Sequence, residues 1–235
     1  MAVLTAAHWE TATPAMREVM RFIGGCPFAE RFYLAGGTGL ALRLGHRRSV
    51  DLDLFSETDE VAWRTRQEIV RALVPLGVQV LENVDGNLLT QVSGLHAGFF
   101  SYGYRLLEPT DSAEGMALAG LVDIGLMKLD ALIGRGSRKD FYDLYAIAQE
   151  MPLADLFARG AFKYEYARDY ELMAVESMVL FENADRDMQP DLLIQVPWEE
   201  VREFFVAQAR ALGERWFGDQ ADLSGFSICG GRTVA

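Results

Sequence analysis

The sequence predicts an α+β fold, with a mixed sheet in its first half and a mostly helical C-terminal region. Three observations carry this. Through Ser49-Val50-Asp51-Leu52-Asp53-Leu54-Phe55, acids and apolar residues alternate with the period of a half-buried strand. Two further apolar runs flank Asp85-Gly86, a strong hairpin signal. Past residue 120 the apolar spacing changes to that of helices. The polar stretch 109–115 (PTDSAEG) is the expected boundary between a core of residues 1–112 and a helical region of residues 113–235.

Taken in order, residues 8–24 read as an amphipathic helix, capped by Thr13 with Pro14 in its first turn. A short strand over residues 32–35 ends at Gly36-Gly37, and a helix over residues 38–44 follows. Thr38 is its expected N-cap and Gly45 its expected stop. The acid-bearing strand covers residues 49–55. A helix over residues 59–74, introduced by Ser56, is halted by Pro75 and Gly77. Strands are expected over residues 78–83, 88–92 and 99–107. Helices are expected over residues 120–134, 137–150, 152–159, 163–182 and 198–216, with a polar break near residues 185–190 and a loosely ordered stretch over residues 218–235.

Of the 235 residues, 50% are hydrophobic and 11% aromatic, enough for a sizeable core. No apolar run approaches the roughly 18 residues of a membrane span. The N-terminus MAVLTAAHWETATPAM lacks the basic start of a secretion signal, so a cytoplasmic protein is expected. Cys26 and Cys229 make no disulfide framework, and three scattered histidines make no zinc site. A net charge of −12 argues against a general electrostatic footprint for nucleic acid. It leaves two local basic clusters: Arg43, His46, Arg47 and Arg48, and Arg135, Arg138 and Lys139. Each read alone is most simply a solvated face.

The strand alternation puts Asp51 and Asp53 on one face, about 6–7 Å apart at Cα, with Val50, Leu52 and Leu54 facing the core. Two like charges side by side repel and need an offset. Mg²⁺ (or Mn²⁺) fits, because it takes one or two carboxylates and completes its shell from substrate phosphates and water. Upstream, the Gly36-Gly37-Thr38 turn exposes backbone N–H groups before a helix, an anion site. A solvated edge strand explains the acids equally well when they are taken alone. The ordered pair of motifs points to a triphosphate held by the turn and a metal held by the next strand. No interior acid stands on the later strands; Glu82 and Asp85 are the nearest candidates.

A second constellation lies at residues 127–145. Lys128 and Arg135 are seven apart on one helix face, and Asp140 and Asp143 are three apart on the next helix, which Ser137 is expected to cap. By themselves these residues also fit a snorkelling lysine and acids favouring a helix N-terminus.

Gly36-Gly37-Thr38, Arg43, His46-Arg47, Ser49 and Asp51-x-Asp53-Leu54-Phe55, followed by Lys128 and Lys139-Asp140-x-x-Asp143-Leu144, resemble the AbiEii/AbiGii toxin family. That family lies within the DNA polymerase β-like nucleotidyltransferase superfamily. The likeness spans residues 30–150. It implies a polymerase β-like nucleotidyltransferase fold, with residues 1–112 as the nucleotidyltransferase core and the helical region completing the active site. Many members of the superfamily carry a third carboxylate on a later strand, and this sequence departs from them there.

The resemblance implies Mg²⁺-dependent transfer of a nucleotide from an NTP to an acceptor. Asp51 and Asp53 would hold metal. Gly36, Gly37, Thr38, Arg47, Ser49 and Lys128 would bind the nucleotide. Asp143, ahead of Asp140, would complete the site, with Asp143 or Asp51 as proton acceptor. It further implies a toxin of a toxin–antitoxin or phage abortive-infection system, with a cognate antitoxin and tRNA as one acceptor. Other readings stay open: transfer to a small molecule or a protein, and a non-catalytic nucleotide-binding module.

Overall fold

The structure is a computed structural model and describes residues 2–4, 6–165 and 169–221. Among the described residues, eight strands form one mixed sheet: β1 (Ala2–Val3), β2 (Tyr33–Leu34), β3 (Asp51–Ser56), β4 (Gln79–Val84), β5 (Asn87–Val92), β6 (Leu95–Ser101), β7 (Asp111–Ala113) and β8 (Met116–Leu118). Their order is β1-β7-β8-β2-β3-β6-β5-β4. The acid-bearing β3 is central, antiparallel to β2 and parallel to β6.

The Asp85-Gly86 hairpin joins β4 to β5 as expected. The following strand does not run over residues 99–107 but over Leu95–Ser101, entered by a tight turn in which Ser93 and Gly94 both have positive φ. Its apolar continuation leaves the sheet because Gly103 turns the chain at φ 71°, while the Tyr102 and Gly103 amides bond back to the Ser56 carbonyl at 3.0 and 3.3 Å. The sheet also crosses the expected boundary at residue 112, since β8 lies inside it against β2. The mostly helical part begins at Leu121.

Thr13 accepts from the Met16 amide and caps α1 (Pro14–Gly24) as expected. After it come α2 (Gly36–Leu44), α3 (Trp63–Leu73), α4 (Leu121–Gly134), α5 (Arg138–Glu150), α6 (Leu153–Lys163), α7 (Tyr170–Ser177), α8 (Glu182–Arg186) and α9 (Trp198–Ala221). The single helix expected over residues 163–182 is replaced by the end of α6, the whole of α7 and the start of α8; residues 166–168 lie outside the described ones. Of the stretch expected to be loose, residues 218–221 continue α9 and residues 222–235 lie outside the described residues. No helix among the described residues is long and apolar enough to cross a membrane.

The two faces of the sheet bury separate cores. Leu52 and Leu54 point into one, with Met16, Ile23, Phe28 and Ile69. Val50, expected beside them, precedes the strand and is 61% exposed. The alternation sends Asp51, Asp53 and Phe55 to the other face, where Phe55 stacks on Phe100 with ring centroids 5.0 Å apart. That face carries α4 and α5, so the strand delivers its acids toward the second motif.

Candidate active site

The glycine turn is built against the acids. α2 starts at Gly36, two residues earlier than expected, and Ala35 is its N-cap residue. Gly36 has φ 60°, and a Cβ there would stand 2.5 Å from Asp53 Oδ2. A Cβ on Gly37 would collide with Arg47 Nη2 and press on Ser49 Oγ at 3.1 Å. Thr38 is therefore not the cap. It is buried in the first turn, where its hydroxyl donates to the Asp51 carbonyl and lies 2.9 Å from Ser49 Oγ. Ser49 thus ties the turn to the strand and makes no bond to the carboxylates.

Asp51 keeps 43% of its side chain exposed and meets His96 Nδ1 at 3.3 Å. His96 is its register partner on β6, and Gly98 is the partner of Asp53. Among the described residues no hydrogen-bond donor reaches the Asp53 carboxylate. Burial pushes its pKa up; Lys128 pulls against this, and the charge of Asp51 adds to it. A desolvated carboxylate without an ion-pair partner, beside a second one that faces solvent, fits a hard divalent cation with open coordination positions. No third His, Cys, Asp or Glu joins them in a metal-sized group among the described residues. Glu82 accepts from Asn87 on the sheet edge, and Asp85 pairs with Arg66 at 2.6 Å, so neither supplies a third acid.

Lys128 and the two acids of the second motif form a buried charge network. Asp143 is 0% exposed. Its Oδ1 accepts from Arg47 Nε at 2.6 Å and lies 2.7 Å from His46 Nε2; its Oδ2 accepts from Arg47 Nη2 at 2.8 Å and meets Lys128 Nζ at 2.6 Å. Lys128 and Arg47 hold its carboxyl well below the usual range despite complete burial. Both of its oxygens are engaged, so that Asp143 ties Arg47, His46 and Lys128 together. Asp140, also fully buried, is gripped by Arg135 through Nε at 2.8 Å and Nη2 at 2.9 Å, by Ser137 Oγ at 2.5 Å, and by Lys128 at 3.3 Å. Ser137 stands at the N-cap of α5, but its hydroxyl serves Asp140 and not the helix amides, a second correction.

These groups line a cleft of about 880 Å³. Gly37, Ser49, Asp51, Asp53, Arg47 and Lys128 are on its wall, joined by Arg135 and Lys139. Gly36, Thr38, Asp140 and Asp143 stand behind that surface. The segment expected to be only a polar break closes the far side, as Asp187 to Asp191 line the same cleft. Its ends are pinned: the Arg138 amide donates to Asp187 Oδ2 at 3.0 Å, and the Arg48 amide donates to the Asp191 carbonyl at 2.8 Å. Sequence reasoning also missed His46 as a partner of Asp143 and His96 as a partner of Asp51. The solvated basic clusters are mostly structural. Arg43 holds Asp111 and the Ala119 carbonyl, Arg47 is 5% exposed, and Arg138 bonds carbonyls of α8.

Residues 21–107 and 115–218 match the model of the family described as "Nucleotidyl transferase AbiEii toxin, Type IV TA system". An uncharacterized protein of Aquifex aeolicus (strain VF5) is 36% identical over 194 residues, covering 80% of this chain and 91% of its own. Among solved structures, the nucleotidyltransferase toxin MenT4 of Mycobacterium tuberculosis H37Rv superposes with a TM-score of 0.51 at 18% identity, over 88% of this chain and 91% of that one. ANT(2")-Ia in complex with adenylyl-2"-tobramycin gives 0.51 at 15% identity, over 65% of this chain and 99% of that one. At these identities the two structures speak for the fold.

Proposed function

The chain belongs to the AbiEii family of nucleotidyl transferase toxins and is a nucleotidyltransferase; from that premise we propose that it moves a nucleotide from an NTP to the acceptor end of tRNA, with Mg²⁺ or Mn²⁺ held by Asp51 and Asp53. The observation that carries this reading is the glycine turn lying directly against Asp53, with Arg47 and Ser49 packed behind Gly37 in the same cleft.

Gly37 brings the start of α2 to the cleft wall, and the amides of that first turn would bind phosphate oxygens. Asp51 and Asp53 would hold a divalent cation, which would supply charge neutralisation for the triphosphate. Lys128, held by Asp140 and Asp143, lines the cleft and would neutralise phosphate charge there, while Arg135 and Lys139 add positive charge on the same wall. Arg47 is locked by Asp143 and backs the turn. Asp51, the exposed acid of the pair, is left to accept the proton of the attacking hydroxyl. Little covalent chemistry is asked of the protein, so placement and charge supply the rate.

We place the protein in the cytoplasm, as the toxin of a type IV toxin–antitoxin pair with a cognate antitoxin. The net charge of −12 favours a second reading, in which the acceptor is a protein or a cationic small molecule. The test incubates the protein with Mg²⁺, each α-³²P NTP in turn and total tRNA, beside an Asp51→Ala/Asp53→Ala control. Label on RNA with the wild type alone is expected. Label on protein or small molecules only would replace tRNA by the second reading, and no transfer to any acceptor would overturn both.

A further inference from the structure

The cleft has a charged floor and an apolar rim, and the floor alone is accounted for by phosphate and metal. Met188 lines the cleft from the pinned loop between α8 and α9 and is 91% exposed, and Pro190 lines it two residues on. From the β3 side Val50 lines the same cleft at 61% exposure. A methionine held this far out of the core by anchors on both sides of it leaves apolar, polarisable surface facing a substrate channel. Thioethers pack well on planar unsaturated rings.

The polar side chains of the rim are engaged with the protein itself. The Gln189 amide donates to Tyr142 Oη at 2.9 Å and accepts from Arg138 at 3.4 Å. Thr11 donates to the His8 carbonyl at 2.6 Å, Thr13 accepts from the Met16 amide at 3.1 Å, and Glu10 pairs with His8 at 2.8 Å. Discrimination by factors of thousands needs buried polar groups that go unpaired with the wrong ligand. The rim offers contact area in place of such groups.

We propose that Met188, with Val50 and Pro190, is the rest for the nucleobase of the incoming NTP, and that this rest holds the ring without reading its hydrogen-bonding edge. The inference builds on the nucleotide-transfer reading of the same cleft. It makes Met188 a positioning residue for nucleotide binding and makes the enzyme tolerant of all four bases.

The test measures equilibrium binding of each of the four NTPs and of inorganic triphosphate, with Mg²⁺, to the full chain and to Met188→Ala. In the wild type, the four NTPs are expected to bind within about tenfold of one another and more tightly than inorganic triphosphate. Met188→Ala is expected to weaken all four NTPs by about three- to tenfold, the range of one sulfur–ring contact, and to leave inorganic triphosphate unchanged. Equal NTP affinity in both proteins, or more than hundredfold preference for one base, would overturn the inference while leaving the transferase reading in place. Failure of both NTP and inorganic triphosphate to bind would overturn the transferase reading and this inference with it. Met188→Leu, which keeps apolar area, is expected to retain most of the NTP affinity and guards against a loop that merely misfolds.

Discussion

Arg47 grips Asp143 through both carboxylate oxygens, at 2.6 and 2.8 Å, across 96 residues of chain and with both side chains buried. The pair joins the loop after the glycine helix to the middle of α5, and so sets the distance between the two halves of the cleft. Planar bidentate geometry makes this link directional, which a lysine at position 47 would not reproduce.

Removing Asp143 leaves Arg47, Lys128 and His46 facing one another without their shared anion. Asp143→Ala is expected to cost about 3–5 kcal/mol of stability, the range for breaking a buried pair, as read by chemical denaturation. Because the folded carboxyl titrates well below the unfolded one, its contribution is complete above about pH 4 and is lost as pH falls toward the folded value. The wild type should therefore lose stability on acidification through that range, and the variant should lose less.

Asp53 behaves in the opposite sense. Burial raises its folded pKa, so its ionisation opposes folding as pH climbs from the unfolded value through the folded one. Without divalent cation, Asp53→Asn is expected to melt at or above the wild-type temperature at pH 7. Adding Mg²⁺ should raise the melting temperature of the wild type and not of the variant, and transfer by the variant should fall by at least about a hundredfold. Thermal melts with and without metal, beside a transfer assay, check all three.

Gly36 combines a left-handed backbone with a missing Cβ over Asp53. Gly36→Ala is expected to cost about 1–2 kcal/mol from backbone conformation alone, and to push the Asp53 carboxylate out of line. Inorganic triphosphate binding should weaken together with NTP binding, unlike the base-side effect of Met188→Ala. Parallel titrations of the two variants separate the two ends of the nucleotide.

Lys128 sits 4% exposed between two acids that keep Arg47 and Arg135 as partners when it is removed. Lys128→Met is thus expected to fold, with a stability loss of about 1–3 kcal/mol for hydrogen bonds to charged groups. Its KM for NTP should rise more than its stability falls would explain, and denaturation and steady-state kinetics on the same preparation compare the two.

The local motifs were legible because their chemistry is local. Alternation placed Asp51 and Asp53 on one face, and the glycine pair marked the turn into a helix, which starts at Gly36. What each residue touches was not legible. That Asp143 is held by Arg47 and His46 could not be read, because these partners arrive from 96 and 97 residues away. The Asp187 to Asp191 wall left no motif, since its grip on the basic loop runs partly through backbone, Arg48 amide to Asp191 carbonyl. That the sheet continues past residue 112 was not legible either, since β7 and β8 are three residues each, too short for a period to register. Likewise Gly98 interrupts the apolar run of β6, and the aromatic residues after it drew the expected strand too far along.

The order in which the cleft is assembled bears on how a toxin is made safely. Asp51 and Asp53 leave the ribosome early, whereas Lys128, Asp143 and Asp191 arrive only once the later part of the chain has been synthesised. A nascent or prematurely ended chain carries Asp51, Asp53 and Arg47 without Lys128 on the cleft wall and without Asp143, which braces Arg47 and Lys128. A cut in the segment between β6 and β7 would divide the chain along the same line, with Asp51 and Asp53 in one fragment and Lys128 and Asp143 in the other.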